Sequence, residues 1–328
     1  ESKYYVEQGQ QFYDVTPIRK TSTNSITFAA TNGSSTITAT DANHLAVQGD
    51  FVTIAGAVSL GGLITAAVLN QEYQIDSVPT ANTYTIIAKD TAGATVTANA
   101  SDSGNGGSGV DGVYQINSGL NTGVGGTGWG AGTWGRGTWG SAATQTVATQ
   151  LRIWSHDNFG EDLLINPRDA GIFYWDKSDG LTARAVNIST LGGASNVPTI
   201  CKQVMVSDVD RHVIAFGADT INTGEQDPLL IRFSSQETAT DWTPTATNTA
   251  GDLRIGTGSE FVRAIETKRE IIVFTDSSMH SMQFIGPPFT FGIQPLATNI
   301  TIMGPNAPVA VNDAIFWMGR QNFYIYEG

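Results

Sequence analysis

Several residue types on which common functional sites depend are scarce in this sequence. The single cysteine, Cys201, excludes an intrachain disulfide and favours folding in a reducing cytoplasm. Charged residues make up 14% of the 328 residues, against roughly a quarter in ordinary soluble proteins. The longest apolar runs have four or five residues, so the sequence predicts no transmembrane helix and no insertion into a membrane.

Acidic residues outnumber basic ones. The sequence has 30 aspartates and glutamates but 17 lysines and arginines, which gives a net charge of −13. An acidic surface repels phosphate groups, so a basic face for binding nucleic acid is not expected. The four histidines are far apart, and none has another histidine or a cysteine at metal-ligand spacing. The sequence therefore predicts no metal and no cofactor.

Helical periodicity is also missing, since no segment keeps it over three turns. Runs rich in Thr, Val, Ile and aromatic residues alternate instead with turns of Gly, Asn and Asp. This pattern predicts an all-β fold, which we interpret as a β-propeller-like platform with an inserted small β-sandwich or barrel domain. Residues 1–20 are expected to start the platform.

Residues 21–118 differ in composition from the rest, with seven acids and one base, Lys89, for a net charge of −6. Five strands are predicted there, and alternation is clear in STITAT and YTIIA. We expect this segment to be the inserted β-domain. The predicted strands are SITFAA (25–30), STITAT (35–40), DFVTIAG (50–56), QEYQIDSV (71–78) and NTYTIIAK (82–89).

Residues 119–147 form a connecting segment rich in glycine and tryptophan. Within it, TGWGAGTWGRGTWGSA (127–142) places Trp129, Trp134 and Trp139 at five-residue intervals, with Arg136 between the last two. This spacing fits neither a helix nor a strand. Large rings on flexible glycine need a surface to pack on. Packing within the chain, packing between subunits and stacking on sugars remain open, and we single out these four residues for assembly.

Residues 148–328 contain short strands with polar turns between them, in modules near 150–176, 202–233, 260–285 and 309–326. A spacing of roughly fifty residues lies within the range of propeller repeats. A sandwich of long Greek keys is the competing fold. Aromatic residues in these strands are expected to form the core of the blades; they are Phe173, Tyr174, Trp175, Phe316 and Trp317.

Three sequence patterns resemble binding or catalytic sites, and each also has a simpler structural interpretation. GVGGTG (123–128) matches the dinucleotide-binding glycine pattern, but the glycine-rich sequence after it cannot open a helix. Asp208, Asp210 and His212 can ligate a cation, although a solvated hairpin turn is the preferred interpretation. Paired carboxylates can hydrolyse glycosides, but the sequence does not show two of them across one bond, and acids of loops and turns are the preferred interpretation for those at 157–169. These acids are Asp157, Glu161, Asp162 and Asp169.

Several longer strings resemble the tail nozzle proteins, also called tail tubular protein B, of short-tailed bacteriophages. The strings that carry the resemblance include QQFYDVTPIRKT (10–21), GTWGSA (137–142) and LRIWSHDNFGEDLLINPRDAGIFYWD (151–176). LLIRFSSQETATDWTPTATNTAGDLRIGTGSEFVRAI (229–265) and the final GPNAPVAVNDAIFWMGRQNFYIYEG belong to the same set. GDFVTIAGA (49–57) and LNQEYQIDSVPTANTYTI (69–86) are similar to β-domains inside such proteins.

The resemblance implies a virion protein without enzymatic activity, assembled in the bacterial cytoplasm. It implies a hexameric ring at the distal end of the tail that contacts an adaptor protein and tail fibres. Phage DNA passes through the lumen of that ring without specific binding. Members of this family are usually longer than 328 residues, and the chain begins without Met, so we expect a slice of a longer chain that lacks some blades.

Two other functions remain as alternatives. A host-glycan-binding adhesin would use the tryptophan run, and a glycan-cleaving tail enzyme would use the acids at 157–169.

Overall fold

The computed structural model describes residues 2–100, 102–119, 152–286, 288–311 and 314–328. They form two compact units, Lys3–Asn117 and a second unit that combines Glu1–Ser2 with Ser118–Gly328. Antiparallel strands build both units, and the one α-helix of the described residues is the four-residue α1, Ala66–Leu69. The all-β prediction is confirmed.

Eleven strands lie in the described part of the unit Lys3–Asn117. They are β1 Tyr5–Gln8, β2 Gln11–Asp14, β3 Ile18–Ser22, β4 Thr27–Ala30, β5 Thr36–Thr40, β6 Phe51–Ala55, β7 Glu72–Gln74, β8 Ser77–Thr80, β9 Thr83–Ile87, β10 Asp102–Asn105 and β11 Asp111–Gln115.

This unit is a sandwich of two open antiparallel sheets. One sheet has the order β10-β4-β5-β9-β8 and the other the order β3-β11-β6-β7, while β1 and β2 form a separate hairpin. A single apolar cluster draws residues from both sheets. In β5 the alternation of STITAT directs Ile37 and Ala39 into that core. Gly56 follows β6 with a φ of +78°, and a Cβ there would lie 2.1 Å from the Gly109 carbonyl oxygen, so this position requires glycine.

The limits of the unit and one of its strands differ from the sequence-based expectation. Residues 3–20 lie in this unit, because β3 pairs with β11 along Ile18–Ser22. QEYQIDSV, expected to be one strand, forms two. β7 joins the sheet of β6, and β8 joins the sheet of β9. Ile75 between them is buried, so the chain crosses from one sheet to the other through the core.

A buried carboxylate joins the two sheets of the sandwich. Asp41, which follows β5, accepts hydrogen bonds from Tyr114 Oη at 2.7 Å and Ser22 Oγ at 2.6 Å, both in the opposite sheet. Ser25 Oγ donates a third at 3.0 Å. Burial opposes ionisation of Asp41, but these hydrogen bonds outweigh it and hold the pKa of the carboxyl below its usual value.

The described residues of the second unit contain fifteen strands. They are β12 Trp154–Phe159, β13 Asp162–Pro167, β14 Phe173–Trp175, β15 Val186–Asn187, β16 Gln203–Val206, β17 Val213–Phe216, β18 Leu230–Phe233, β19 Gly251–Arg254, β20 Phe261–Glu266, β21 Ile271–Thr275, β22 Ser278–Gly286, β23 Thr290–Thr298, β24 Val309–Val311, β25 Ala314–Met318 and β26 Phe323–Tyr326.

These strands form four antiparallel meanders in chain order. Three have four strands, β12–β15, β16–β19 and β20–β23, and the last has three, β24–β26. The meanders begin at Trp154, Gln203, Phe261 and Val309, which are 49, 58 and 48 residues apart. Such four-stranded meanders are the building units of β-propellers. We refer to the four meanders as the first, second, third and last sheets.

Each pair of consecutive sheets encloses its own apolar core. In β17, Val213 and Ala215 pack toward the first sheet, whereas Ile214 and Phe216 pack toward the third. Strand β21 is likewise buried on both faces. A strand covered on both sides needs a continuous apolar run, which explains the sequences VIAF and IIVF.

Hydrogen bonds also tie different sheets of this unit to one another. Ser155 Oγ of β12 accepts from the Val204 amide of β16 at 3.1 Å. Arg168, which follows β13, donates to the carbonyls of Phe261 and Val262 in β20 at 3.2 and 3.1 Å. One arginine thereby connects the first sheet to the third.

The sequence-based modules miss the fourth strand of each full sheet and misplace one aromatic residue. Strands β15, β19 and β23 were not predicted, because GDLR in β19 is polar and TFGIQPLAT in β23 is interrupted by glycine and proline. Trp317 is buried as expected. Phe316 is 43% exposed, since it points to the opposite side of β25.

Candidate functional site

The tryptophan run lies outside the described residues. Trp129, Trp134, Arg136 and Trp139 therefore remain a prediction, as does the glycine pattern at 123–128.

The four acids at 157–169 lie at different places on the first sheet. Asp162 begins β13, and Asp169 follows its other end, so on the order of 20 Å of extended chain separates them. Glu161 pairs with Lys177 at 3.1 Å, and Asp169 pairs with Lys202 at 3.4 Å. Two carboxylates that act on one glycosidic bond stand about 5–9.5 Å apart. The structure therefore does not bring Asp162 and Asp169 to a common site.

Asp157 instead belongs to an acidic group built from three sheets. Its Oδ2 accepts from the Val206 amide of β16 at 2.9 Å. Asp208, two residues further, donates its amide to Glu266 Oε1 of β20 at 3.1 Å. We call Asp157, Asp208 and Glu266 the acidic group. Each carboxylate comes from a different part of the sequence, so no local motif could have predicted the group.

The protonation of the acidic group departs from ordinary carboxyl behaviour. Burial raises the pKa of Glu266 to about 7, and the charges of Asp208, Asp157 and Asp210 add to this, against the opposing Asp208 amide bond. Burial also raises the pKa of Asp157, with a smaller contribution from Asp208. Glu266 is thus poised to take up a proton near neutral pH.

Asp208, Asp210 and His212 lie in and beside the hairpin turn between β16 and β17, as preferred from the sequence. The expectation that this turn is solvated is wrong for Asp210 and His212, because both side chains are buried. His212 points into the protein, where its Nε2 lies 3.0 Å from Thr249 Oγ1 and its ring meets Phe233 and Phe291. Across the described ranges, no three His, Cys, Asp or Glu side chains are grouped as a metal site requires.

An apolar arm projects from the third sheet. Strand β22 pairs with β21 only as far as Met282, so residues 283–286 pair with β23 alone. Ile285 and Phe289 at its end are 57% and 71% exposed. They border an open groove of about 400 Å³ whose other walls include Phe233 and Leu253. No sequence pattern indicates a role for this segment.

The last sheet presents a second apolar surface. One side of it packs on the third sheet through Ile315 and Trp317. The other side is exposed, and we call it the open face. It consists of Val309, Val311, Phe316, Met318, Phe323 and Ile325.

No helix in the part of the chain that the structure describes is both long and apolar enough to cross a membrane. No protein-family model and no curated protein matches the sequence. Among solved structures, the chain is similar to the Phage phi92 endosialidase, at 10% sequence identity and a TM-score of 0.27. The match covers 91% of this chain and 46% of the other, so this chain spans about half the length of that protein. A TM-score this low supports no functional conclusion.

Proposed function

We propose that the protein is a structural subunit of the tail nozzle of a short-tailed bacteriophage. In this proposal six copies form a ring at the distal end of the tail, dock to an adaptor and to tail fibres, and surround the channel through which DNA leaves. The chain acts as a scaffold and not as an enzyme.

One observation carries the proposal. A β-sandwich and a series of four-stranded meanders stacked in chain order occur in one polypeptide. This is the combination that the resemblance to nozzle proteins implies, a propeller-like platform with an additional β-domain. The net charge of −13 supports the same function, because an acidic channel wall repels the DNA that passes it.

Location on the virus particle tests the proposal most directly. The turn around Gly93 is exposed and has open space beside it, so an epitope tag can be inserted there. Tagged particles are imaged with the antibody by electron microscopy, with untagged particles as the control. Quantitative mass spectrometry of purified particles counts the copies.

We expect label in a ring at the tail tip and about six copies per particle, as the resemblance implies. Label along the fibres would instead support a glycan-binding adhesin. Absence of the protein from purified particles would overturn the nozzle function and leave a role inside the infected cell.

A further inference from the structure

Arg263 is a half-buried arginine at an irregular position of the first strand of the third sheet. Strand β20 pairs regularly with β21 except between Phe261 and Arg263, where the register shifts. Phe261 and Ala264 both pack in the core shared with the second sheet, although residues three positions apart face opposite sides of a regular strand. Val262 and Arg263 therefore take the place of one residue and form a β-bulge. Bulges are frequent beside functional sites, because they redirect a side chain.

The guanidinium of Arg263 has no acceptor in the part of the chain that the structure describes. No hydrogen bond, ion pair or ring contact engages it there, whereas Arg232 and Arg254 pair with Asp219 and Asp227. A guanidinium carries five N–H donors and a permanent charge. Water can accept these hydrogen bonds, but it leaves the half-buried charge without a counter-ion.

A second arginine makes the surroundings of Arg263 positive. Arg168 donates to the carbonyl of Val262, the residue before Arg263, at 3.1 Å. Burial lowers the pKa of Arg263, and the charge of Arg168 lowers it further. The two arginines therefore repel each other at a place where solvent screens them only in part.

The neighbouring carboxylates do not neutralise the two arginines. Asp169 and Glu260 favour the charged form of Arg168, but each of them also pairs with Lys202 at 3.4 Å. Three cationic groups thus share two carboxylates, and one positive charge is left over. This excess occurs in a protein whose net charge is −13, so it is a local feature of the fold and not a result of composition.

We infer that Arg263, with the charge of Arg168 beside it, binds a small oxyanion of the phosphate or carboxylate type. Two oxygens of such an anion match the planar N–H fork of a guanidinium, and its charge offsets the excess positive charge. Neither the nozzle function nor its test involves this site, so the two proposals can fail separately.

Modification of arginines by phenylglyoxal tests the site residue by residue. The full protein is treated in chloride buffer alone, with inorganic phosphate, with acetate or with a short DNA duplex, and modified peptides are quantified by mass spectrometry. At about ten times its Kd, either small anion should slow modification of Arg263 about tenfold. The exposed Arg269 and Arg320 are internal controls and should react unchanged. Equal protection of all three arginines, or protection of Arg263 by DNA alone, would overturn the inference.

Calorimetric titration with phosphate and with acetate gives a measurement that does not need the reagent to reach the side chain. Arg263→Gln should weaken binding of the anion about tenfold or more, and it should fold, because Arg263 has no partner to lose among the described residues. Arg263→Lys keeps the charge without the planar fork and should bind with intermediate affinity. Arg269→Gln, at an exposed position, is the matched control. Equal affinities of wild type and Arg263→Gln, or no binding of either anion to wild type, would contradict the inference.

Discussion

Gln203 and Ala264 exchange two hydrogen bonds that connect the second sheet to the third. The side-chain amide of Gln203 donates to the Ala264 carbonyl at 2.9 Å, and its oxygen accepts from the Ala264 amide at 2.9 Å. Both residues are buried. Strand β16 therefore uses a side chain where a continuous sheet would use its backbone, and this fixes the register of two sheets that share no ladder.

Replacement of Gln203 by methionine tests this connection. Methionine has a similar size but leaves the amide and carbonyl of Ala264 unpaired in the core. Each unpaired buried group costs about 1–3 kcal/mol, so we expect a loss of about 2–4 kcal/mol in the free energy of unfolding. Denaturant unfolding and hydrogen exchange at the Ala264 amide measure it. Gln294→Met, at an exposed position of β23, should change stability by less than about 0.5 kcal/mol. Equal effects of both substitutions would contradict the structural role.

A second prediction concerns the carboxylate that joins the sheets of the sandwich. Asp41→Asn removes a charged acceptor from the hydroxyls of Ser22 and Tyr114. Hydrogen bonds to charged groups contribute about 1.5–3 kcal/mol each, so we expect a loss of about 2–4 kcal/mol at pH 7. Because the pKa of Asp41 is lowered in the folded state, its contribution is present above the unfolded pKa of 3.8 and is lost as pH falls through the folded pKa.

Unfolding at pH 7 and at pH 2–3 measures this difference. The difference in the free energy of unfolding between wild type and Asp41→Asn should become smaller in acid. Tyr114→Phe, which removes one of the hydroxyl donors, should cost less than Asp41→Asn at pH 7. If this difference in the free energy of unfolding is the same at both pH values, ionisation of Asp41 does not stabilise the fold.

A third prediction follows from the acidic group. The folded pKa of Glu266, about 7, lies above the unfolded value of 4.5. The folded state therefore binds the extra proton between these values, and stability falls as pH rises from about 4.5 to 7. After allowance for solvent screening at this half-buried side chain, the effect is about 1–2 kcal/mol.

Glu266→Gln should remove this pH dependence, because glutamine stays neutral and can still accept from the Asp208 amide. Denaturant unfolding across pH 5–8 measures this dependence. At each pH the free energy of unfolding of the wild type is subtracted from that of the variant. Glu225→Gln, at an exposed position, is the matched control. If the difference in the free energy of unfolding between Glu266→Gln and wild type does not grow with pH, the pKa of Glu266 is not raised.

A fourth prediction concerns Trp129, Trp134 and Trp139, which lie outside the described residues. If the run packs in the assembled particle, replacing all three by alanine should lower the number of tailed particles while purified glycans bind neither form. If the run binds sugars, particles should assemble normally and attach poorly to host cells. Electron microscopy and adsorption assays separate the two outcomes, and Arg136→Ala alone is the control for a change in charge.

The strands with strong apolar runs could be predicted from the sequence, and the polar strands could not. VIAF and IIVF are buried on both sides, so their composition alone identifies them. GDLR in β19 is recognised as a strand only because β18 offers it a partner. The division of QEYQIDSV between two sheets has the same origin, since tertiary pairing and not local preference decides where the strand ends.

The functional surfaces were harder to predict than the strands. The acidic group joins positions 157, 208 and 266, and no local spacing connects residues that far apart. Phe316 and Trp317 are neighbours of the same chemical kind, so composition assigns both to the core. Only the pleat of β25 and the order of the sheets reveal that Trp317 is covered and Phe316 is exposed.

The last prediction concerns His212, whose pH effect has the opposite sign to that of Glu266. Burial among Phe233, Phe284 and Phe291 lowers the pKa of His212 to about 4, below its unfolded value of 6.5. The folded state therefore excludes a proton that the unfolded chain accepts, and stability is lost as pH falls from about 6.5 to 4.

His212→Phe should be less stable than wild type at pH 7, because Thr249 Oγ1 loses a hydrogen-bond partner, at a cost of about 1 kcal/mol. The variant should nevertheless lose less stability in acid. Thr249→Val removes the same hydrogen bond, and also the one that Thr249 Oγ1 accepts from the Gln236 amide at 2.8 Å, but it keeps the histidine. This variant should therefore be destabilised at every pH, while its free energy of unfolding depends on pH in acid as that of the wild type does. Denaturant unfolding from pH 7 to pH 4 compares the three proteins. If the free energy of unfolding falls equally with pH in His212→Phe and in wild type, the ring titrates in the folded protein as it does in the unfolded chain.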